Sequence, residues 1–203
     1  MNPVVAFDLG KVLVDFDYSI AARKIAARSS KPPENLATFL SHSQFLIQFE
    51  TGLIDRHQFF DAIRAATGYG GTLEEFSAAF ADIFFPMEPM IALHTELRRH
   101  GLKTYVFSNT NDLAISHVRH NFPFFAHFDG YIMSYEVHSM KPHVGIYESL
   151  EKMTGKRGTD IVYIDDRVEN VDAGIGRGWR VVLHETPEKT RAALVSYFPF
   201  LSR

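Results

Sequence analysis

The sequence predicts an α/β protein with a doubly wound, Rossmann-like parallel sheet and an inserted, all-helical cap subdomain. Residues 4–7 and 161–164 are short runs of apolar residues only, which is the pattern of strands buried on both faces of a sheet. From residue 89 onward, such runs alternate with helical patterns, as in parallel sheets covered by helices. Residues 17–87 carry helical patterns with no strand between them.

Composition excludes several classes of protein. With 203 residues, 46% of them hydrophobic, the chain can bury one core and carry an insertion. A formal net charge of −3 favours neither nucleic acid nor an anionic membrane as a partner, and the absence of cysteine excludes disulfides and thiolate sites. Asp8 interrupts the first apolar run, so it is no signal peptide. We expect a cytoplasmic protein, a monomer or homodimer, that acts on a small molecule.

The first predicted strand ends at a carboxylate, Asp8. Leaving even a neutral polar group unpaired in an apolar environment costs roughly 2–7 kcal/mol, so packing alone does not explain a charge here. Ligands of open α/β sheets bind at the carboxyl ends of the strands. Asp8 is therefore a candidate functional carboxylate, with a turn or a helix cap as the alternative interpretation.

The insertion is predicted to contain four helices. They begin near Ser19, Leu36, Asp55 and Thr72. The last two of these residues are each followed three positions later by Gln or Glu, which is the pattern of a capping box. We expect the phenylalanines of these helices to form a core of their own. The predicted division is a core unit of residues 1–16 and 88–203 and a cap of residues 17–87.

The rest of the chain is predicted to alternate between helices and strands. The helices are expected at residues 90–100, 112–121, 146–153, 171–175 and 187–197, and the strands at residues 103–107, 131–134, 161–164 and 181–183. In a right-handed doubly wound sheet, the carboxyl ends of these strands lie at the same edge as the end of the first strand.

Polar residues follow these strands. Ser108 follows the second, Lys141 lies in the loop after the third, and Asp165 and Asp166 end the fourth. Carboxylates crowded beside Asp8 raise one another's pKa unless a cation neutralises them, and Mg²⁺ with oxygen ligands meets that need. Ser108 and the N–H groups after it predict an anion site, with Lys141 as its counter-charge.

Four segments together resemble the signatures of the haloacid dehalogenase-like (HAD) hydrolases. They are FDLGKVL, SNT, MKP and YIDD, in that order along the chain. Each is weak alone, but their order and element context are specific, and the resemblance covers nearly the whole chain. The insertion corresponds to the cap of the family. The pattern is most similar to the sugar-phosphatase branch that includes bacterial α-glucose-1-phosphatases.

The resemblance implies Mg²⁺-dependent hydrolysis of a small phosphorylated metabolite, such as a sugar phosphate, through an aspartyl-phosphate. Asp8 would be the nucleophile, and Ser108 would bind the transferring phosphoryl group. Lys141 would pair with that group and with the nucleophile. Leu9 and Asn109 are the further phosphate-binding residues that the resemblance implies.

The resemblance also implies a metal site. Its ligands would be Asp8, the backbone carbonyl of Gly10, Asp166 and Asp165. Asp166 is the expected direct ligand, and Asp165 is a second ligand or a partner behind it. Asn170 is expected to orient an acidic residue or a metal-bound water, or else to cap a helix.

The chain departs from the family pattern at Gly10. Most phosphatases of this family carry an acid–base Asp there, and general acid–base assistance accelerates a reaction by about 10²–10⁴-fold. Asp15 and Asp17 are candidate substitutes, although a solvated surface pair is the simpler interpretation. A turn that needs a positive φ would also explain the glycine.

Two other functions follow from the same pattern. One is a 2-haloacid dehalogenase, which the pair Asp165 and Asp166 disfavours because metal-free dehalogenation needs no metal ligands. The other is a non-catalytic protein that binds a phosphorylated ligand.

Overall fold

The computed structural model describes residues 3–202 and contains seven strands in this part of the chain. Numbered along the chain, the strands are β1 (Val4–Phe7), β2 (Val14–Phe16), β3 (Phe84–Pro86), β4 (Lys103–Ser108), β5 (Gly130–Met133), β6 (Ile161–Asp165) and β7 (Arg180–Leu183). Five of them form a parallel sheet in the order β5-β4-β1-β6-β7, and β2 and β3 form a two-stranded antiparallel sheet. The predicted fold class is confirmed.

Helices connect these strands. They are α1 (Tyr18–Ala26), α2 (Leu36–His42), α3 (Gln44–Glu50), α4 (Arg56–Thr67), α5 (Leu73–Ala81), α6 (Glu88–Arg99), α7 (Asp112–Asn121), α8 (Ser134–Val137), α9 (Val144–Thr154), α10 (Val168–Gly176) and α11 (Pro187–Val195). Short 3₁₀ segments lie at Pro123–His127, Gly158–Asp160 and Pro199–Ser202. None of the helices within residues 3–202 has the length and apolar character required to cross a membrane.

The central strand β1 has helices on both faces of the sheet. Val5 and Phe7 belong to a hydrophobic cluster that α6, α7 and α11 complete, whereas Val4 and Ala6 face a second cluster containing residues of α9. Alternate residues of a strand point to opposite faces, so an entirely apolar strand needs cover on both. This is why residues 4–7 carry no polar position.

The order of the strands locates a crevice. The chain passes from β1 to β4 and β5 on one side of the sheet, and then to β6 and β7 on the other side. Ligands in such sheets bind where the direction reverses, which here lies beyond the ends of β1 and β6. Phe7 is paired with Ile164, and the Asp8 N–H donates to the Ile164 carbonyl at 2.9 Å, so Asp8 and Asp165 lie side by side.

The helices α1 to α5, called here the helical insertion, have their own hydrophobic cluster. Phe59 contacts the rings of Phe49, Phe76 and Phe80 in it. Leu113 of α7 joins the same cluster and links it to the sheet unit. The subdomain boundaries at residues 17–87 stay a prediction.

The insertion differs from the prediction in two respects. It contains five helices rather than four, because Ser43 has extended backbone and begins α3 by accepting the Leu46 N–H group at 3.1 Å. Asp17 rather than Ser19 caps α1, since its carboxylate accepts the Ser19 N–H group at 2.8 Å. Both predicted capping boxes, at Asp55 and Thr72, are present.

Candidate active site

Asp8 lies buried at the end of β1. Its Oδ1 atom accepts the Leu9 N–H group at 2.7 Å and lies 3.1 Å from Lys141 Nζ. Leu9 is expected to bind phosphate, and its N–H group is engaged by the Asp8 carboxylate. Burial raises the pKa of Asp8 to about 7, a shift that Lys141 opposes and that Asp165 and Asp166 increase.

Lys141 is a buried ammonium with three acceptors around it. Its Nζ donates to the Phe107 carbonyl at 2.9 Å and to Asp165 Oδ2 at 2.6 Å, and it lies 3.1 Å from Asp8 Oδ1. An ammonium has three N–H donors, so these contacts use all of them. Burial would lower the pKa of Lys141, but Asp8 and Asp165 raise it above its usual value. The group is therefore a fixed positive charge between two carboxylates.

Asp165 is fully buried and accepts four hydrogen bonds. Its Oδ2 accepts the Lys141 ammonium and the Tyr163 hydroxyl, and its Oδ1 accepts the Arg167 N–H group at 2.9 Å and Asn170 Nδ2 at 3.0 Å. Burial would raise the pKa of Asp165, but Lys141 and the other hydrogen bonds lower it. A carboxylate offers about four lone-pair sites, all of them occupied here. Asn170 thus contacts an acidic residue and caps no helix.

Asp166 faces the open side of the site, where burial and the neighbouring Asp165 raise its pKa. One carboxylate oxygen from each of Asp8, Asp165 and Asp166 lies within 4.8 Å of the others. Together the three carboxylates carry two more charges than Lys141 neutralises, so this all-oxygen donor set fits a divalent cation such as Mg²⁺. Because the oxygens of Asp165 are already engaged, Asp8 and Asp166 are the carboxylates best placed to ligate directly. Gly10 lines the same cleft.

The loop after β4 carries the residues expected to bind phosphate. Ser108 is buried, and its Oγ donates to the Asn109 carbonyl at 3.3 Å. The Asn109 side chain is paired with the backbone of Lys141, at 2.9 Å through Nδ2 and 2.7 Å through Oδ1. The Thr110 N–H group, part of the expected anion site, donates to Ser134 Oγ at 2.9 Å. Asn109 therefore connects the two loops, and one of the expected N–H donors is already engaged.

A cleft of about 290 Å³ lies between the sheet edge and the helical insertion. Asp8, Lys141 and Asp166 line it from the sheet, while Tyr18 and Glu50 line it from the insertion. A smaller cavity of about 70 Å³ shares several of the same lining residues and has a largely apolar wall. The residues of that wall are Leu9, Phe16, Tyr18, Phe80, Ile83, Phe84 and Ala114.

The structure excludes a positive φ as the reason for Gly10. The positive φ of this turn belongs to Lys11, at 59°, and not to Gly10, so the expectation of a positive φ at the glycine is wrong. A Cβ atom at Gly10 would instead lie 2.9 Å from the ring of Phe16. Asp15 is exposed and pairs with Lys11, while Asp17 caps α1, and neither lines the cleft.

Glu50 is a site residue that sequence reasoning missed. It is the last residue of α3, and it lines both the cleft and the smaller cavity. Burial raises the pKa of Glu50 to about 7, against the effects of a hydrogen bond from Asn111 and of the nearby Arg167. A signal existed in the sequence, because an acidic residue in the last turn of a helix opposes the helix dipole.

Comparisons with known proteins give a consistent result. Residues 3–177 match the model of a family described as haloacid dehalogenase-like hydrolase. A sesquiterpene phosphatase from Aspergillus oryzae is 26% identical over 183 residues, which cover 89% of this chain and 88% of that protein.

Two solved structures share the fold. An HAD family enzyme from Bacteroides thetaiotaomicron, in complex with magnesium and inorganic phosphate, has a TM-score of 0.81 and 23% identity over 91% of this chain and 95% of its own. An HAD-like family hydrolase from Porphyromonas gingivalis has a TM-score of 0.80 and 18% identity over 100% of this chain and 98% of its own. At these identities the likeness establishes the fold alone. The finer resemblance to α-glucose-1-phosphatases stays a prediction.

Proposed function

The chain belongs to the haloacid dehalogenase-like hydrolase family, and we propose that it is a phosphatase that hydrolyses a small phosphorylated metabolite through an aspartyl-phosphate at Asp8. One observation carries the proposal. Asp8 faces an open cleft beside a buried Lys141, and it belongs to a group of three carboxylates that fits a divalent cation. The phosphatase relative and the magnesium–phosphate complex of a structural neighbour support it.

Asp8 is the nucleophile in this proposal. Its Oδ1 atom is held by the Leu9 N–H group and by Lys141, so we assign the attack on phosphorus to Oδ2. The buried ammonium favours the ionised carboxylate that the attack requires. Ser108, at the end of the neighbouring strand, lines the smaller cavity, and in this proposal its hydroxyl binds the phosphoryl oxygens.

Asp165 has a different task, which is to position Lys141. Its four hydrogen bonds leave it no free oxygen for the substrate, while its Oδ2 lies 2.6 Å from the ammonium. Magnesium held by Asp8, Asp166 and the Gly10 carbonyl would neutralise charge on the phosphoryl group. Asp166 therefore serves the metal in this proposal, and Asp165 serves the lysine.

Two substrate classes are the first to test. Sugar phosphates follow from the resemblance of the sequence signatures. Terpenyl phosphates follow from the phosphatase relative, and the largely apolar wall of the smaller cavity is compatible with them. Both classes are phosphomonoesters, so the proposed chemistry at Asp8 is the same.

The test is phosphate release from a panel of sugar and terpenyl phosphates, with Mg²⁺ and with a chelator. We expect Mg²⁺-dependent release that Asp8→Asn abolishes. The matched control, Asp15→Asn, changes an exposed carboxylate nearby and should keep wild-type turnover. Full activity of Asp8→Asn would contradict the covalent mechanism. Chloride release from 2-chloropropionate without phosphate release would favour a dehalogenase, and binding of phosphate esters without turnover would favour a non-catalytic protein.

A further inference from the structure

The proposed reaction needs a proton donor that the sheet edge does not supply. When Asp8 attacks phosphorus, the departing alcohol oxygen must take up a proton, and Gly10 has no side chain to give one. Asp166 is committed to the metal in the proposed mechanism. Apart from the lysines and the carboxylates of the metal site, the titratable side chains lining the cleft are Tyr18, His42 and Glu50, all from the helical insertion.

We propose that Glu50 is the general acid and base of this site, acting from the insertion in place of the acid–base Asp that Gly10 replaces. This inference rests on the proposed phosphatase function. Gly10 and Glu50 line the cleft together, and they also line the smaller cavity together. Glu50 therefore borders the same space as the position where the family's acid–base residue is absent.

The backbone of Glu50 is fixed to the sheet unit. Ser134 Oγ donates to the Glu50 carbonyl at 2.5 Å, and the same oxygen accepts the Thr110 N–H group at 2.9 Å. Thr110 lies two residues after Ser108, in the loop expected to bind phosphate. The position of Glu50 is thus linked through one hydroxyl group to that loop.

The side chain of Glu50 lies close to the start of α7. Asn111, whose Oδ1 accepts the Ala114 N–H group at 2.9 Å at the beginning of that helix, lowers the pKa of Glu50 by hydrogen bonding. Burial raises the pKa of Glu50 to about 7, against the effects of Asn111 and Arg167. A group with this pKa exchanges a proton readily in both directions near neutral pH.

The alternatives on the insertion side fit less well. Burial and the neighbouring Glu50 raise the pKa of Tyr18 far above its usual value, so its phenol is a poor base for the second step. His42 is exposed, and its Nδ1 lies 2.7 Å from the Ser41 hydroxyl. Lys11, which also lines the cleft, is held by Asp15 and by the Phe16 carbonyl, and the guanidinium of Arg167 does not release a proton.

The two half-reactions balance. In the first, a bond forms between Asp8 Oδ2 and phosphorus, the bond from phosphorus to the alcohol oxygen breaks, and that oxygen takes the proton of Glu50. In the second, water attacks the phosphorus of the aspartyl-phosphate while ionised Glu50 takes its proton. Inorganic phosphate leaves, and Asp8 is again a carboxylate.

The test compares Glu50→Gln with Asp61→Asn, a carboxylate-to-amide change at an exposed position of α4. Phosphoenzyme formation is measured by rapid quench with aryl and alkyl phosphates whose leaving alcohols differ in pKa. We expect Glu50→Gln to slow the reaction of alkyl phosphates by about 10²–10⁴-fold and to spare 4-nitrophenyl phosphate, whose leaving group needs no proton. Slow hydrolysis of the intermediate should then give a burst of 4-nitrophenol. Asp61→Asn should behave as wild type.

Each outcome decides the inference. If the rate of phosphoenzyme formation in folded Glu50→Gln depends on leaving-group pKa as it does in the wild type, the inference is wrong. It is also wrong if His42→Gln, and not Glu50→Gln, shows the selective loss with alkyl phosphates. Melting temperatures check folding, and Glu50→Asp should give a smaller selective loss if Glu50→Gln does not fold. Wild-type protein that hydrolyses no ester overturns the proposed function itself, whereas failure of the inference alone leaves the wild type active.

Discussion

The two sides of the cleft are built in different ways. On the sheet side, Asp8 and Asp165 are buried, and each is paired with the buried ammonium of Lys141. On the insertion side, Glu50 ends a seven-residue helix and is held to the sheet unit through Ser134. Because these charges are paired within the sheet unit, their positions do not depend on the position of the insertion. The proton-transferring group, by contrast, depends on how the insertion docks.

This difference has an energetic counterpart in two Lys–Asp pairs. Lys141 and Asp165 lie 2.6 Å apart with side chains 1% and 0% exposed, whereas Lys24 and Asp82 of the insertion lie 2.6 Å apart with side chains 40% and 66% exposed. Removing one partner of a buried pair leaves an uncompensated charge, but water screens an exposed pair. The same distance therefore implies different contributions to stability.

The largest expected effect comes from Lys141→Met, compared with Lys24→Met. Loss of the buried ammonium should lower the free energy of unfolding by about 3–5 kcal/mol, because Asp8 and Asp165 remain buried. Loss of the exposed one should cost about 0–1 kcal/mol. Urea unfolding of both variants measures the difference. Equal losses of unfolding free energy in the two variants would show that the buried pair of the sheet side contributes no more to stability than the exposed pair.

The second prediction concerns acid sensitivity of the sheet side. Burial lowers the pKa of His94 to about 4, with smaller contributions from Arg98 and His127, and its Nε2 lies 3.0 Å from Thr104 Oγ1. The unfolded chain takes up this proton near pH 6.5, so the stabilising contribution is present above pH 6.5 and is lost as pH falls toward 4.

His94→Gln should remove roughly 3 kcal/mol of the stability loss between pH 7 and pH 4. His120→Gln, at an exposed position of α7, is the control and should leave the slope unchanged. Free energies of unfolding at several pH values in this range test the prediction. If the free energy of unfolding of His94→Gln falls with pH as steeply as that of the wild type, the acid sensitivity comes from carboxylates alone.

The third prediction tests crowding where the two sides meet. Gly10→Ala places a Cβ atom 2.9 Å from the Phe16 ring, and overpacking of this kind costs about 1–3 kcal/mol. Gly176→Ala, at a helical position where the new Cβ would meet no atom within 4 Å outside its chain neighbours and its own helix backbone, should be neutral or stabilising. Thermal melting compares them, and Phe16→Leu should relieve the first loss. A Gly10→Ala variant as stable as wild type would show that the ring moves freely.

The last prediction concerns docking of the insertion, where the expected effect is no larger than that of Gly10→Ala. Ser134→Ala removes the donor to the Glu50 carbonyl and should cost about 1–3 kcal/mol, since the Thr110 N–H group loses its partner too. The ion pair of Arg56 and Asp112, at 2.7 Å, still joins the insertion to α7. We expect faster hydrogen exchange at residues 44–50.

Ser77→Ala is the matched control for Ser134→Ala, because its hydroxyl bonds only to the carbonyl of Leu73 within α5. Exchange at residues 44–50 should be unchanged in this control. Equal exchange in both variants would mean that the Ser134 hydroxyl does not hold α3 in place.

Much of the sheet side could be predicted from the sequence because its signals are local. A run of apolar residues marks a buried strand, and a carboxylate after it marks the strand end, as at Asp8 and Asp165. The handedness of the crossovers then brings those ends to one edge. The capping boxes at Asp55 and Thr72 are local too, and both were predictable for that reason.

The signals were weaker where structure depends on distant partners. Strands β2 and β3 have three residues each and exist because Val14 pairs with Pro86 and Phe16 with Phe84. No periodicity is visible in three residues.

The sequence by itself determined the fold class and the residues at the sheet edge, because strand periodicity and strand-end carboxylates are encoded within a few positions. Only the tertiary structure decided that every oxygen site of Asp165 is engaged and that Glu50 faces the cleft. Glu50 owes its position to Ser134, 84 residues away, and to Asn111. Contacts over such separations depend on how the insertion packs against the sheet unit, which no local pattern specifies.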